Sequence, residues 1–286
     1  MKATTRLRRL VESDDVVVAP GVYDGLSARL AAHAGFRALY ATGGGIARGM
    51  GYPDLGLLSL SELVERLANI VEQVDLPIIA DADTGYGNAL NVRRAVREFE
   101  RAGVAGFHLE DQTFPKRCGH YDDKSVVPTR EMVQKLRAAR DALTDGDLVL
   151  IARTDALAVE GMDAALDRAH AYQEAGADVI FVEAPTSEAQ IETIARRVSA
   201  PKLINMFQGG KTPLVPVPRL RELGYRIVII PSDLQRAAIR AMADTLAAIA
   251  RDGNSAAVAD RMASFTDRET AVDTAMWLEL DRRYST

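Results

Sequence analysis

Eight short runs rich in β-branched and other apolar residues recur along the chain, each followed by a turn and then by a segment with apolar residues at helical spacing. The runs fall at 16–19, 38–41, 77–80, 106–109, 149–152, 179–182, 202–205 and 226–230. Candidate helices between and after them include 61–74, 91–102, 129–142, 162–175, 188–198 and 234–251. Strands alternating with helices predict right-handed crossovers and a parallel sheet. Eight such units in about 250 residues is the count and size of a (β/α)8 TIM barrel, an α/β fold whose strands read as continuous apolar runs because both faces are covered. A doubly wound open sheet is the rival. It favours GxGxxG after the first strand, where this chain reads PGVYDG. Several helices run out at Ala34-Gly35, Ala102-Gly103, Ala175-Gly176 and Leu223-Gly224, each offering glycine as a left-handed cap.

The pattern implies one barrel domain over 1–286, with 255–286 as a C-terminal helical extension. Within it, 269–284 places Val272, Ala275, Met276 and Leu280 on one stripe beside Trp277. A closed barrel has little use for another amphipathic helix. This one is expected to cover a second subunit or, alternatively, the barrel's own end.

A formal net charge of −5 argues against a nucleic-acid binder, which concentrates Lys and Arg on one face. No apolar run approaches the roughly 20 residues that span a bilayer. The basic N-terminus lacks the apolar core of a secretory signal, so a cytoplasmic setting is the default. Cys118 is the only cysteine, which rules out an intrachain disulfide and leaves either a buried filler or a reactive thiol.

In such barrels chemistry sits at the C-terminal ends of the strands. The residues there are Tyr23 and Asp24; Thr42, Gly43 and Gly44; Asp81 and Asp83; Glu110 and Asp111; Arg153 and Asp155; Glu183; Asn205; and Ser232. A single Asp after a strand is usually a helix N-cap. Asp81, Asp83, Glu110 and Glu183, however, come from three strands that converge on one mouth, where unpaired carboxylates repel. A hard divalent cation is the natural remedy, Mg2+ first and Mn2+ as a substitute. His33 and His170 fall in candidate helices and read as structural; His108 lies in a strand, either as a core group or behind the site.

The longest loop after a strand reads DQTFPKRCGHYDDKSVVP. It gathers Lys116, Arg117, Cys118 and His120 around Gly119 as a hinge, on what is expected to be a mobile lid. Two cations and an imidazole lower a thiol's pKa. The turn at Thr42 to Gly45 offers backbone N–H groups suited to a carboxylate or phosphate. Arg153 either clamps a substrate carboxylate or pairs with Asp155 or Glu183.

Taken in order from about residue 16 to 232, the segments YATGGG, PDLG, DADTGYG, LEDQ, PKRCGH, ARTDAL, VEA and NMFQGG resemble the isocitrate lyase and phosphoenolpyruvate mutase superfamily. The resemblance implies a (β/α)8 barrel with Mg2+ and a homotetramer in which C-terminal helices are exchanged between paired subunits. It assigns the metal to Asp81 and Asp83, with Asp54 and Glu110 directly or through water. Thr42, Gly43 and Gly44 match the turn that holds the keto-acid half of the substrate, and Tyr40 matches a tyrosine assisting proton removal from the substrate hydroxyl. Arg153, Glu183 and Asn205 match carboxylate contacts, and Cys118 matches the lyase general acid.

Those parts suit cleavage of the C2–C3 bond of a 2-hydroxy acid, with Cys118 protonating the departing carbanion. The superfamily's phosphonate-forming mutases carry Asn in place of this Cys, and its oxaloacetate decarboxylases generally lack the CGH lid. Methylisocitrate lyases tend to read NITEFG or NMTEFG where this chain has Phe207 and Gln208, so a third carboxylate loses polar partners here. The segment resembles that of 2,3-dimethylmalate and 2-alkylmalate lyases, although Lys211 offers another partner for a third carboxylate. A phosphonate-cleaving hydrolase and a non-catalytic keto-acid-binding barrel complete the alternatives.

Overall fold

The computed structural model describes residues 1–117, 119 and 123–285. Its strands are β1 (Val17–Val22), β2 (Leu39–Ala41), β3 (Ile78–Asp81), β4 (Gly106–Glu110), β5 (Val149–Thr154), β6 (Val179–Val182), β7 (Lys202–Asn205) and β8 (Tyr225–Ile230). Each pairs in parallel with the next, and β8 returns to β1, so the sheet closes into the expected (β/α)8 barrel. Closure leaves no strand edge unpaired, and helices cover the outer face.

Side-chain alternation, not hydrophobicity, decides what enters the barrel. Val17, Ala19, Ala38, Tyr40, Ile79, Val149, Ile151, Val179, Phe181, Leu203, Ile227 and Ile229 pack on one another as the interior. Their chain neighbours Leu39, Ala41, Ile78, Ala80, Phe107, Leu150, Ala152 and Ile180 face the helices. Continuing each inward row by two residues toward the C-terminal end reaches Asp81, Arg153, Glu183 and Asn205, and the same parity in β4 gives His108 and Glu110. The rim residues are therefore the top layer of the barrel's own packing.

The other end is closed by a helix that the sequence reading did not include, Ala3–Glu12. Leu7 and Val11 are buried by it, and Leu7 joins the interior cluster against the floor of the barrel. Arg8 on the same helix donates to the carbonyls of Asp147 and Leu148 and pairs with Asp178 at 3.3 Å.

Two further expectations are corrected. Thr42–Gly45 is not a turn: Thr42 is the N-cap of a helix, Gly43–Gly49, and its side chain accepts from Gly45 N. The single helix expected at 269–284 is two, Phe265–Ala271 and Thr274–Tyr284, broken where Asp273 adopts φ +53°. The Asp273 carboxylate pairs with Arg29 at 2.8 Å, and Phe265–Ala271 packs on the helix Gly25–His33, so part of the extension lies on the chain's own barrel. Val272, Met276, Trp277 and Leu278 nevertheless stay exposed. No helix among the described residues is long and apolar enough to cross a membrane.

Candidate active site

Strand register sets the first contacts at the mouth. Asp81 pairs laterally with His108, and Glu110 with Arg153. Tyr40 Oη lies 2.8 Å from His108 Nε2 and donates to Asp81 Oδ2 at 3.3 Å. His108 is fully buried, and burial holds its pKa down to about 4 despite Asp81, so the ring is neutral at pH 7. Its Nδ1 has no hydrogen-bond partner among the described residues. Because a buried N–H is rarely left orphaned, hydrogen-bond logic assigns the proton to Nε2, which donates to Tyr40. Burial and then Asp81 push the Tyr40 hydroxyl well above the usual phenol range. His108, left open between core and support, thus stands behind Tyr40.

The carboxylates surround Lys116. Its ammonium contacts Asp54 and lies 2.8 Å from Asp83 Oδ1. Burial opposes its charge, but Asp83, Asp54 and Asp81 together hold its pKa well above the ordinary lysine value. Burial likewise raises Asp83, to about 6, with Asp81 and Asp54 adding to the rise. Asp81 falls to about 2, because nearby positive charge outweighs burial. Asp83 holds φ +46°, a strained conformation for a non-glycine residue that costs on the order of 1–3 kcal/mol.

The cradle is built for carboxylates. A Cβ on Gly43 would stand 2.8 Å from Asp81 Oδ2, and one on Gly44 2.8 Å from Asp54 Oδ2. Glu110 Oε1 is buried with no hydrogen-bond partner among the described residues, and burial raises the Glu110 pKa well above normal. All-oxygen donors, an orphaned carboxylate oxygen and glycines cleared around two carboxylates fit a hard divalent cation. Among the described residues no three His, Cys, Asp or Glu groups already converge at ligating distance. Lys116 supplies the positive charge in this arrangement.

Glu183 accepts from Asn205 Nδ2 at 3.2 Å and lines the same cavity as Asp81 and Arg153. The next residue, Ala184, has φ +58°. Arg153 bonds Asp155 through Nε at 2.8 Å and Nη2 at 3.1 Å while Nη1 reaches Glu110 at 3.2 Å, and it also lines the cavity. Asp24 reads as the ordinary N-cap, accepting from Ser27 N.

A cavity of about 290 Å³ opens over this layer. Of the sequence candidates, Tyr40, Thr42, Gly44, Asp54, Asp81, Lys116, Gly119, Arg153, Glu183, Asn205, Phe207 and Ser232 line it. Gly43 and Asp83 border a smaller recess beside it, and Glu110 lies beneath Arg153. Cys118 and His120 lie outside the described residues. The reading missed Arg48 on the helix after β2 and Gln235, Arg236 and Ile239 on the helix after β8 (Asp233–Asp252), all of which border the cavity. Spacing of i, i+1 and i+4 after the eighth strand was the available signal. Lys116 was noticed only as a neighbour of the thiol.

The family model described as phosphoenolpyruvate phosphomutase matches residues 7–250. The chain belongs to that family. It is 42% identical over 287 residues to 2,3-dimethylmalate lyase of Eubacterium barkeri, covering 100% of this chain and 99% of the relative. It is 47% identical over 261 residues to 2-methylisocitrate lyase of Aeropyrum pernix, covering 91% and 84%. Among solved structures, 2,3-dimethylmalate lyase, a PEP mutase/isocitrate lyase superfamily member, superposes with a TM-score of 0.93 at 38% identity, over 99% of this chain and 95% of that one. Phosphonopyruvate hydrolase in complex with oxalate and Mg2+ superposes with a TM-score of 0.91 at 30% identity, over 100% of both chains. The resemblance read from the motifs thus holds for the family as a whole.

Proposed function

We propose that this phosphoenolpyruvate phosphomutase family member is a Mg2+-dependent carbon–carbon lyase that splits a 2-hydroxy dicarboxylate of the 2-alkylmalate type. The products are pyruvate or a related 2-keto acid and a short carboxylate. The observation that carries the substrate class is the mixed lining of the cavity, where Arg153 and Asn205 occur together with Phe207, Pro231 and Ile239. The guanidinium and amide suit a carboxylate, and the apolar side chains suit an alkyl substituent. The lyase relatives and the hydrolase structure with oxalate and Mg2+ support the same reading.

Asp81, Asp83, Asp54 and Glu110 would hold the cation, which when bound supplies Lewis-acid stabilisation of the oxygens on the keto-acid half. Thr42, Gly43 and Gly44 hold that half. Tyr40, kept a phenol by burial and steadied by His108, orients the 2-hydroxyl and accepts its proton as its own moves along the existing hydrogen bond to the Asp81 carboxylate. As the C–C bond breaks, the hydroxyl oxygen's electrons form the keto group and the bond pair moves to the leaving carbon. Cys118 then donates a proton to that carbon, with His120 beside it in sequence, in the roles the resemblance implies. The enzyme works as a homotetramer in the cytoplasm, with the exposed Val272, Met276 and Trp277 face covered by an exchanged neighbour.

A second reading, 2-methylisocitrate cleavage to pyruvate and succinate, is favoured by Arg48 at the cavity, a cation for a third carboxylate. Keto-acid release measured with both substrates decides between them. Equal or faster turnover of 2-methylisocitrate overturns the alkylmalate reading, and release of CO2 or phosphate points to a decarboxylase or hydrolase. Cys118→Ser is expected to abolish cleavage while pyruvate and Mg2+ still bind.

A further inference from the structure

The loop between β4 and the helix Thr129–Ala142 is pinned at its base and again at Gly119. At the base, Gln112 bridges Val126 in antiparallel fashion, Thr113 N donates to Ser125 O at 2.9 Å, and the Gln112 side chain bonds both backbone groups of Arg117 at 2.8 and 2.9 Å. At Gly119 the fit leaves no room for a side chain, since a Cβ would overlap Glu183 Oε1 and Arg153 Nη2. The polar group holding Gly119 there is Lys124. Its side chain is wholly buried, its ammonium donates to the Gly119 carbonyl, and it lies 2.8 Å from Asp155 Oδ1.

Asp155 is itself wholly buried and is shared. One carboxylate receives Lys124 on Oδ1 and the Arg153 guanidinium on both oxygens, and Arg153 in turn reaches Glu110. The order Gly119–Lys124–Asp155–Arg153–Glu110 is one continuous buried chain of charge-assisted contacts. Taking either cation from a carboxylate enclosed between two leaves its charge less compensated, which is costly in a dry interior. Moving Lys124 away therefore disturbs Arg153, and moving Gly119 away deprives Lys124 of a partner. Asp111 fixes the far side, accepting from Asp155 N at 2.9 Å and Thr154 Oγ1 at 2.7 Å.

We infer that Lys124 is a positioning residue that ties the Gly119 backbone to the buried Asp155–Arg153 pair, so that placing Gly119 and aligning the cavity-lining Arg153 are one event. This rests on the lyase reading in one respect: Gly119 follows the residue given the proton-donor role. Lys124 is not among the residues that line the cavity. It sets where Gly119 is held and how Arg153 is presented, and small misplacements of either slow turnover more than they weaken binding.

The test compares Lys124→Met with Lys124→Arg and with the double variant Lys124→Met/Asp155→Asn, which removes the buried charge that the first change strands. Lys124→Met is expected to lower kcat about 30-fold while changing the affinity for pyruvate with Mg2+ less than about threefold, and Lys124→Arg to recover part of the loss. Trypsin should cut after Arg117 faster in Lys124→Met, and in the double variant if the single one folds poorly, than in the wild type. Wild-type kcat and wild-type tryptic resistance in Lys124→Met would overturn the assignment. So would losses of kcat and pyruvate affinity by the same factor. The proteolysis arm needs no substrate: a wild-type chain that cleaves no dicarboxylate would sink the lyase reading, while the tryptic rates alone would still decide the anchor.

Discussion

The Lys116 ammonium lies 2.8 Å from Asp83 Oδ1 and also contacts Asp54, so a side chain already neutralises two carboxylates proposed for the cation. A divalent ion entering the same cluster must contend with that charge. Lys116→Met is expected to bind Mg2+ about tenfold more tightly than the wild type without substrate, read by calorimetric titration. Equal or weaker binding would mean that the lysine does not compete.

Gly119 has no space for a methyl group because Glu183 and Arg153 stand against it. Gly119→Ala should push the loop outward and lower kcat about 100-fold, with a melting temperature close to that of the wild type because the barrel core is untouched. Unimpaired turnover in this variant would show that the close fit is dispensable.

His108 gives a pH signature. Its folded pKa of about 4 lies below the ordinary 6.5, so between those values the unfolded chain binds a proton that the folded chain refuses. Its contribution is complete above pH 6.5 and is lost as pH falls toward 4, by on the order of 3 kcal/mol. Asp83, raised to about 6, acts in the opposite sense, but is common to wild type and variant. The stability of wild type relative to His108→Gln, followed by denaturant unfolding of the metal-free protein, should therefore fall from pH 7 to 4.5. A constant difference would mean that the imidazole is not held neutral.

Phe207 and Gln208 are the residues for a specificity exchange. Phe207→Thr with Gln208→Glu puts polar groups where a third carboxylate needs them. The ratio of kcat/KM for 2-methylisocitrate over 2,3-dimethylmalate should rise about tenfold or more. An unchanged ratio would locate the choice at Arg48 or Lys211.

The eight-unit alternation carried the barrel because each parallel strand is buried on both faces and announces itself as an apolar run. Side-chain parity was equally legible: Asp81, Arg153 and Glu183 extend rows begun by Ile79, Ile151 and Phe181. What escaped depends on contacts between distant segments. The Ala3–Glu12 helix is short and arginine-rich, and only the barrel floor makes sense of Leu7. That Glu183 bonds Asn205 across neighbouring strands could not be read from either segment alone. Lys124 looks like any loop lysine until Asp155 is placed next to it.

Leu7 packs with Ile227 and Ile229, although 220 positions separate it from the first of them. At about 5–20 residues per second, translation leaves the Ala3–Glu12 helix without its final contacts for on the order of ten to fifty seconds. Val17 and Ala19 likewise wait for β8. The apolar floor of the barrel is thus exposed until the last strand leaves the ribosome, and a chain stalled before Ile227 would present that surface to chaperones instead of folding in part.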